Sequence, residues 1–156
     1  VDRFMLKISI SYPTAEEEAE IVRRNTDRKE IDVKPVVDGA EIQELQKIAA
    51  LVYADEKIIK YIIDIVRASR SPDAYGIKDV SYLISYGASP RASIYLTKAA
   101  KAHAFIAGRG YVIPEDVKAI GMDVLRHRIL TSYEADAEGV KSEDIVRKIF
   151  DGIKVP

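Results

Sequence analysis

Residues 4–10 set Phe4, Leu6, Ile8 and Ile10 against Met5, Lys7 and Ser9, the period-2 pattern of a strand with one apolar face. Tyr12-Pro13 stops it, and from Thr14 the period becomes that of helices. Thr14 with Glu17 three positions on reads as a capping box. Glu16, Glu17 and Glu18 favour the positive end of the helix that follows, to about Asn25. Residues 26–37 are polar, then extended around Pro35. Asp38 and Glu41 make a second cap-like pair, followed by Ile42, Leu45, Ile48, Ala49 and Val52 at helical spacing. Asp55 caps a third helix, whose Ile58, Ile59, Ile62, Ile63 and Val66 form a wide apolar stripe.

From Ser69 to Tyr86 the pattern is irregular, broken by Pro72 and Gly76, with one short helix at 78–84. Ser89-Pro90 then opens a helix running to about Ala107. Its alanines (Ala92, Ala99, Ala100, Ala102, Ala104 and Ala107) let neighbours approach closely, which predicts the central helix of the fold. Gly108 ends it as a left-handed cap. Pro114 starts another helix with Val117, Ile120, Val124 and Leu125 inward. Ser142 caps a last one, with Ile145, Val146, Ile149 and Phe150 inward and Gly152 as its stop. Five or six helices on short links predict a mainly α fold, a helical bundle with one N-terminal strand. A lone strand cannot satisfy its own backbone. Either it pairs with the 31–37 segment or its partner sheet lies outside this chain.

Composition narrows the classes. The 156 residues suffice for one domain with a real core. With 24 basic and 25 acidic residues interleaved, the net charge of −1 gives no field to recruit nucleic acid or a membrane surface. The lack of cysteine excludes disulfides and thiolate metal sites and fits a cytoplasmic protein. No apolar run approaches the roughly 20 residues that a membrane span needs. Asp2, Arg3 and Lys7 interrupt any secretory signal, and without an initiator methionine Val1 reads as the start of an excised domain.

The chemistry-bearing residue that stands out is Arg91. It follows the Ser89 cap and Pro90, so it sits within one turn of free backbone N–H groups at the positive end of a helix. A fixed cation there is unfavourable by up to about 1 kcal/mol unless an anion is present. A phosphate would meet both the helix start and a guanidinium fork. The plain alternative is a solvated arginine. His103 and His127 lie far apart with no third ligand, so both read as structural and no metal site is expected. Arg126-His127-Arg128 is a basic cluster that pairs with nearby carboxylates or serves an interdomain contact. The nine tyrosines are dispersed and form no stacking platform.

Four strings in order carry a resemblance. They are Asp2-Arg3-Phe4 opening a strand, Gly87-Ala88-Ser89-Pro90-Arg91-Ala92, Gly108-Arg109-Gly110-Tyr111-Val112-Ile113-Pro114-Glu115-Asp116-Val117, and Val124-Leu125-Arg126-His127-Arg128. Together they resemble the C-terminal part of the MoxR family of AAA+ ATPases, across essentially the whole chain. The resemblance implies that residues 1–12 are the last strand of an α/β ATPase core and residues 13–156 its α-helical lid. Arg91 matches the sensor 2 arginine, which reaches the γ-phosphate of the nucleotide in its own subunit, with Ser89 and Pro90 forming the nucleotide-proximal helix start. Arg3 matches a position that serves related groups as an arginine finger towards a neighbouring subunit.

The resemblance further implies ATP and Mg as cofactors of the full-length protein, a ring of subunits that is a hexamer, and chaperone-like remodelling or maturation of an unnamed client protein. The chain itself contains no GxxxxGK[ST] phosphate loop and no acidic strand end for magnesium, so alone it is expected to hydrolyse nothing. The competing reading is a stand-alone helical protein-interaction module. A nucleic-acid binder is disfavoured by the balanced charge.

Overall fold

The computed structural model describes residues 2–26 and 33–156. Seven α-helices are described: α1 (Ala15–Thr26), α2 (Gly39–Leu51), α3 (Glu56–Ala68), α4 (Pro90–Ile106), α5 (Pro114–Leu125), α6 (Tyr133–Glu138) and α7 (Ser142–Gly152). Two 3-10 turns, Pro72–Tyr75 and Lys78–Leu83, bridge α3 to a short strand β1 (Ile84–Tyr86), which pairs antiparallel with β2 (Leu130–Thr131). The mainly helical bundle predicted from periodicity is therefore what forms.

The caps follow local chemistry. Thr14 and Glu17 exchange bonds of 2.8 and 3.3 Å, Asp38 and Glu41 form a second reciprocal box, and the Asp55 carboxylate accepts from the Lys57 N–H. Gly108 takes the left-handed conformation after α4, at φ +72°. α7 begins differently from expectation. Its cap residue is Lys141, whose N–H donates to the Asp144 carboxylate at 3.0 Å, while the Ser142 hydroxyl donates to the Arg126 carbonyl.

The core lies between α3, α4, α5 and α7. Ile62, Ile65 and Val66 of α3 meet Leu96, Ala100 and Ala104 of α4, with Val117, Val124 and Leu125 of α5 and Ile145, Val146 and Ile149 of α7 completing it. The alanines of α4 bring α5 close, as the central-helix reading requires. Ile42, Leu45 and Ile48 of α2, by contrast, remain about two-fifths exposed, so the predicted stripe of that helix is only partly covered. α1 has no buried residue.

The strand expected over 4–10 does not form. Residues 2–5 are turns and bends, and 6–14 belong to no element. The Lys7 N–H donates to the Asp123 carbonyl at 2.8 Å, and no neighbouring strand supplies a ladder among the described residues. The facing is also reversed: Met5 packs against the core, whereas Phe4, Ile8 and Ile10 are exposed. Residues 33–37 carry no strand, and 27–32, the rest of the candidate partner segment, lie outside the described residues.

Candidate functional site

The start of α4 is fixed from behind. Gly87 passes so close to α3 that a Cβ on it would lie 2.2 Å from the Ser69 carbonyl oxygen. The buried Ser69 hydroxyl accepts from the Ala88 N–H at 2.9 Å and donates to the Val66 carbonyl at 2.7 Å. Ser89 then caps the helix, its hydroxyl accepting from the Arg91 N–H at 3.3 Å. Pro90 sits at the first helical position, where its missing N–H costs nothing. These contacts set where Arg91 leaves the helix.

An anion already meets it. The Asp2 carboxylate accepts from Arg91 Nη1 and from the Ser89 hydroxyl through one oxygen, each at 3.1 Å, and from Arg128 Nε through the other, also at 3.1 Å. Burial tends to raise the Asp2 pKa, but the Ser89 bond and the charges of Arg128 and Arg91 lower it below the usual carboxylate range. The unfavourable cation at a helix N-terminus is thus resolved inside the chain, by a carboxylate 89 positions away.

Arg128 is the buried member of the cluster. Its guanidinium also donates to the backbone carbonyls of Asp2, Phe4, Met5 and Val124, and it lies 5.1 Å from the centre of the Tyr95 ring. The Tyr95 hydroxyl donates to the Arg3 carbonyl at 3.1 Å, and His127 Nε2 donates to the Phe4 carbonyl at 3.0 Å. Residues 2–5, 89–95 and 127–128 therefore form one polar joint. Arg91 and Arg3 are both exposed, and among the described residues no carboxylate pairs with the Arg3 side chain.

The third string builds a second joint. Asp116 is buried and takes both fork nitrogens of Arg109, with Nη1 at 2.7 Å, while His103 Nδ1 donates at 2.7 Å and the Ile113 N–H at 2.9 Å. The turn between α4 and α5 is locked by that carboxylate, which gives His103 the structural role its sequence context suggested. Arg126 pairs with Asp123 at 2.8 Å. Sequence reasoning singled out Arg91, Arg3, Ser89 and Pro90. It placed Arg128 in a basic cluster expected to pair with carboxylates, which it does with Asp2, but gave no role to Asp2, whose only signal was membership of the first string, or to Tyr95, which lies outside all four strings.

As a test of fit, the α4 start holds the Asp2 carboxylate through one nitrogen of the exposed Arg91 guanidinium and the Ser89 hydroxyl, and a guanidinium and a hydroxyl beside a helix start are donors that an anionic phosphate uses. No cluster of three or more His, Asp or Glu side chains that could hold a metal ion occurs among the described residues. Nor is any described helix long and apolar enough to cross a membrane.

Comparison with known proteins agrees with this architecture. Residues 78–149 match the AAA lid domain family. The chain is 36% identical over 155 residues to chaperone MoxR1 of Mycobacterium tuberculosis, covering 99% of this chain and 41% of that protein. It is 35% identical over 157 residues to the uncharacterized protein YeaC of Bacillus subtilis, covering 100% of this chain and 46% of that one. A crystal structure of an ATPase candidate from Cytophaga hutchinsonii superposes with a TM-score of 0.94 at 39% identity, over 99% of this chain and 47% of the other. The AAA lid domain match spans residues 78–149, a little under half of the chain, and the mainly helical fold agrees with it. The chain is a relative of the MoxR-type AAA+ ATPases and spans less than half the length of these relatives.

Proposed function

We propose that the chain is the lid of a MoxR-type AAA+ ATPase, with residues 1–12 the end of its core and 13–156 the lid proper. It couples ATP binding and hydrolysis to chaperone-like remodelling or maturation of a partner protein. In this reading the lid works against its own ATPase core and neighbouring subunits of a hexameric ring. The observation that carries it is the exposed Arg91 fork at the capped start of α4, where donors already arranged for an anion hold a carboxylate. Arg91 senses the terminal phosphate, and Ser89 and Pro90 fix the helix start beside it. Arg3, exposed and without a carboxylate partner among the described residues, reaches the nucleotide of the next subunit. Arginine suits both roles because it stays charged and presents a planar fork.

Bound ATP supplies the anion whose charge changes on hydrolysis, and the phosphate loop and magnesium carboxylate belong to the core. This chain's own residues bind and orient. Ser69 and Gly87 hold the α4 start, α4 carries Arg91, and α4 transmits its displacement to α3 and α5 through the alanine-lined contacts. The whole protein with Arg91→Ala should turn ATP over on the order of a hundredfold more slowly. Its thermal melt should stay close to that of the wild type, because the side chain is exposed. An unchanged rate would remove Arg91 from the mechanism. The isolated 156-residue chain should show no turnover. A protein-interaction role is compatible with the half-covered Ile42, Leu45 and Ile48 of α2, a surface that a client or a neighbouring subunit could cover.

A further inference from the structure

Asp2 is held on its two sides by cations in different circumstances. Arg128 is buried, bonded to four backbone carbonyls as well as to the carboxylate. Arg91 is 48% exposed at its side chain, and Asp2 is its charged partner. One side of the carboxylate is therefore anchored and the other exchangeable. The same oxygen that meets Arg91 also takes the Ser89 hydroxyl, so Asp2 occupies both side-chain donors at the α4 start. A second anion drawn to that fork meets a like charge a few ångströms away, in a setting where water screens it only partly.

We propose that Asp2 is an intramolecular competitor for Arg91. Held in place by Arg128, its carboxylate occupies Arg91 Nη1 and the Ser89 hydroxyl until a polyphosphate anion displaces it. The inference rests on Arg91 being the phosphate-sensing residue and adds a control to it. Phosphate binding costs the release of Asp2, and the chain segment carrying Asp2 loses one of its two cationic holds on the lid in the same event. Arg128 is then a positioning residue, because it decides where the competing carboxylate stands without reaching the fork itself.

The test uses the 156-residue chain and inorganic pyrophosphate, followed by the amide signals of Arg91 and Ala92 in nuclear magnetic resonance titrations. Asp2→Asn removes the charge and keeps the size, and it should bind pyrophosphate roughly tenfold more tightly than wild type, the scale of one charge-assisted hydrogen bond. Asp2→Glu, which keeps the charge, should stay near wild type. Adding Arg91→Ala to Asp2→Asn should abolish the gain. Equal affinity in the Asn and Glu variants, or a gain that survives Arg91→Ala, overturns the proposal.

Asp2→Ser repeats the test with a smaller neutral side chain should the Asn variant lose its fold. The wild-type chain gives a check free of mutation: pyrophosphate that moves the α4 amides must also move the Asp2 carboxyl carbon signal, and a stationary carboxyl signal overturns the competition. The two readings separate cleanly. An Arg91-dependent gain in Asp2→Asn, together with unimpaired ATP turnover in Arg91→Ala of the whole protein, leaves the competition standing and removes the sensor role. The opposite pair of results removes the competition alone.

Discussion

Replacing Asp116 by Asn keeps the side chain's shape and an acceptor for the Ile113 N–H, while removing the charge that Arg109 meets with both fork nitrogens. Burial alone would raise the pKa of Asp116. The bonds from Arg109, the Ile113 amide and His103 outweigh it and hold the carboxyl at about 2, against an ordinary 3.8. A depression of that size favours the folded state by about 2 kcal/mol. Breaking a buried pair from one side can cost more, but Arg109 is a quarter exposed and regains water, so the Asn variant should lose about 2–3 kcal/mol. For a chain of this length that lowers the melting temperature by roughly 4–12 °C at neutral pH. Because the folded pKa lies below the unfolded one, the stabilisation is complete above pH ~4 and fades as pH falls from about 4 to about 2. Thermal melts of wild type and Asp116→Asn, taken in steps across that range, should therefore converge at the acid end. A gap that is missing at neutral pH, or that keeps its full size at the acid end, refutes the argument.

Three further substitutions probe the packing around the site. Gly87→Ala would place a Cβ 2.2 Å from the Ser69 carbonyl oxygen and 2.5 Å from its carbon; the melt should report a loss of roughly 1–3 kcal/mol, and an unchanged melt would show that the approach is not tight. The Tyr61 hydroxyl is buried with no hydrogen-bond partner, so Tyr61→Phe should be neutral or stabilise by up to about 1 kcal/mol, and a clear destabilisation would reveal a missing partner. Arg128→Met keeps most of the volume but removes the donors that hold residues 2–5. Hydrogen exchange should show the Lys7 amide losing protection while the α4 and α5 amides keep theirs, at an overall cost of about 2–4 kcal/mol.

Much of the bundle was legible because its signals are local. The capping boxes at Thr14 and Asp38 and the left-handed Gly108 each depend on residues within a few positions, and the stripe of α3 repeats over three turns. Legibility failed where an element is too short to repeat. α6 buries Ala135 alone and so shows no stripe, and β1 and β2 have three and two residues. At α7 the sequence offers both Ser142 and Asp144 near the start. The Lys141 N–H donates to Asp144, and the Ser142 hydroxyl turns instead to the Arg126 carbonyl, a partner 16 positions away that no local pattern shows. The alternation at 4–10 is real in the sequence, but a strand needs an edge, and none stands beside it among the described residues.

Arg91 could be found from its cap grammar alone, yet what it touches could not. Ser89, Arg91 and Arg128 lie 87, 89 and 126 positions from Asp2, and no local pattern distinguishes that carboxylate from the other acids of a chain with balanced charge. The division of labour explains the difference. The apolar faces of α3, α4, α5 and α7 stabilise the bundle over many contacts, and any one of their positions is recognisable by its spacing. The polar joints, Asp2 with Arg91 and Arg128, and Asp116 with Arg109 and His103, contribute through a few directional bonds whose partners are chosen by the finished fold. Such bonds set the angle at which α4 meets the chain before and after it. A change of charge at either joint should therefore alter that geometry well before it unfolds the bundle, which is the behaviour a domain needs if an anion at the α4 start is to move it.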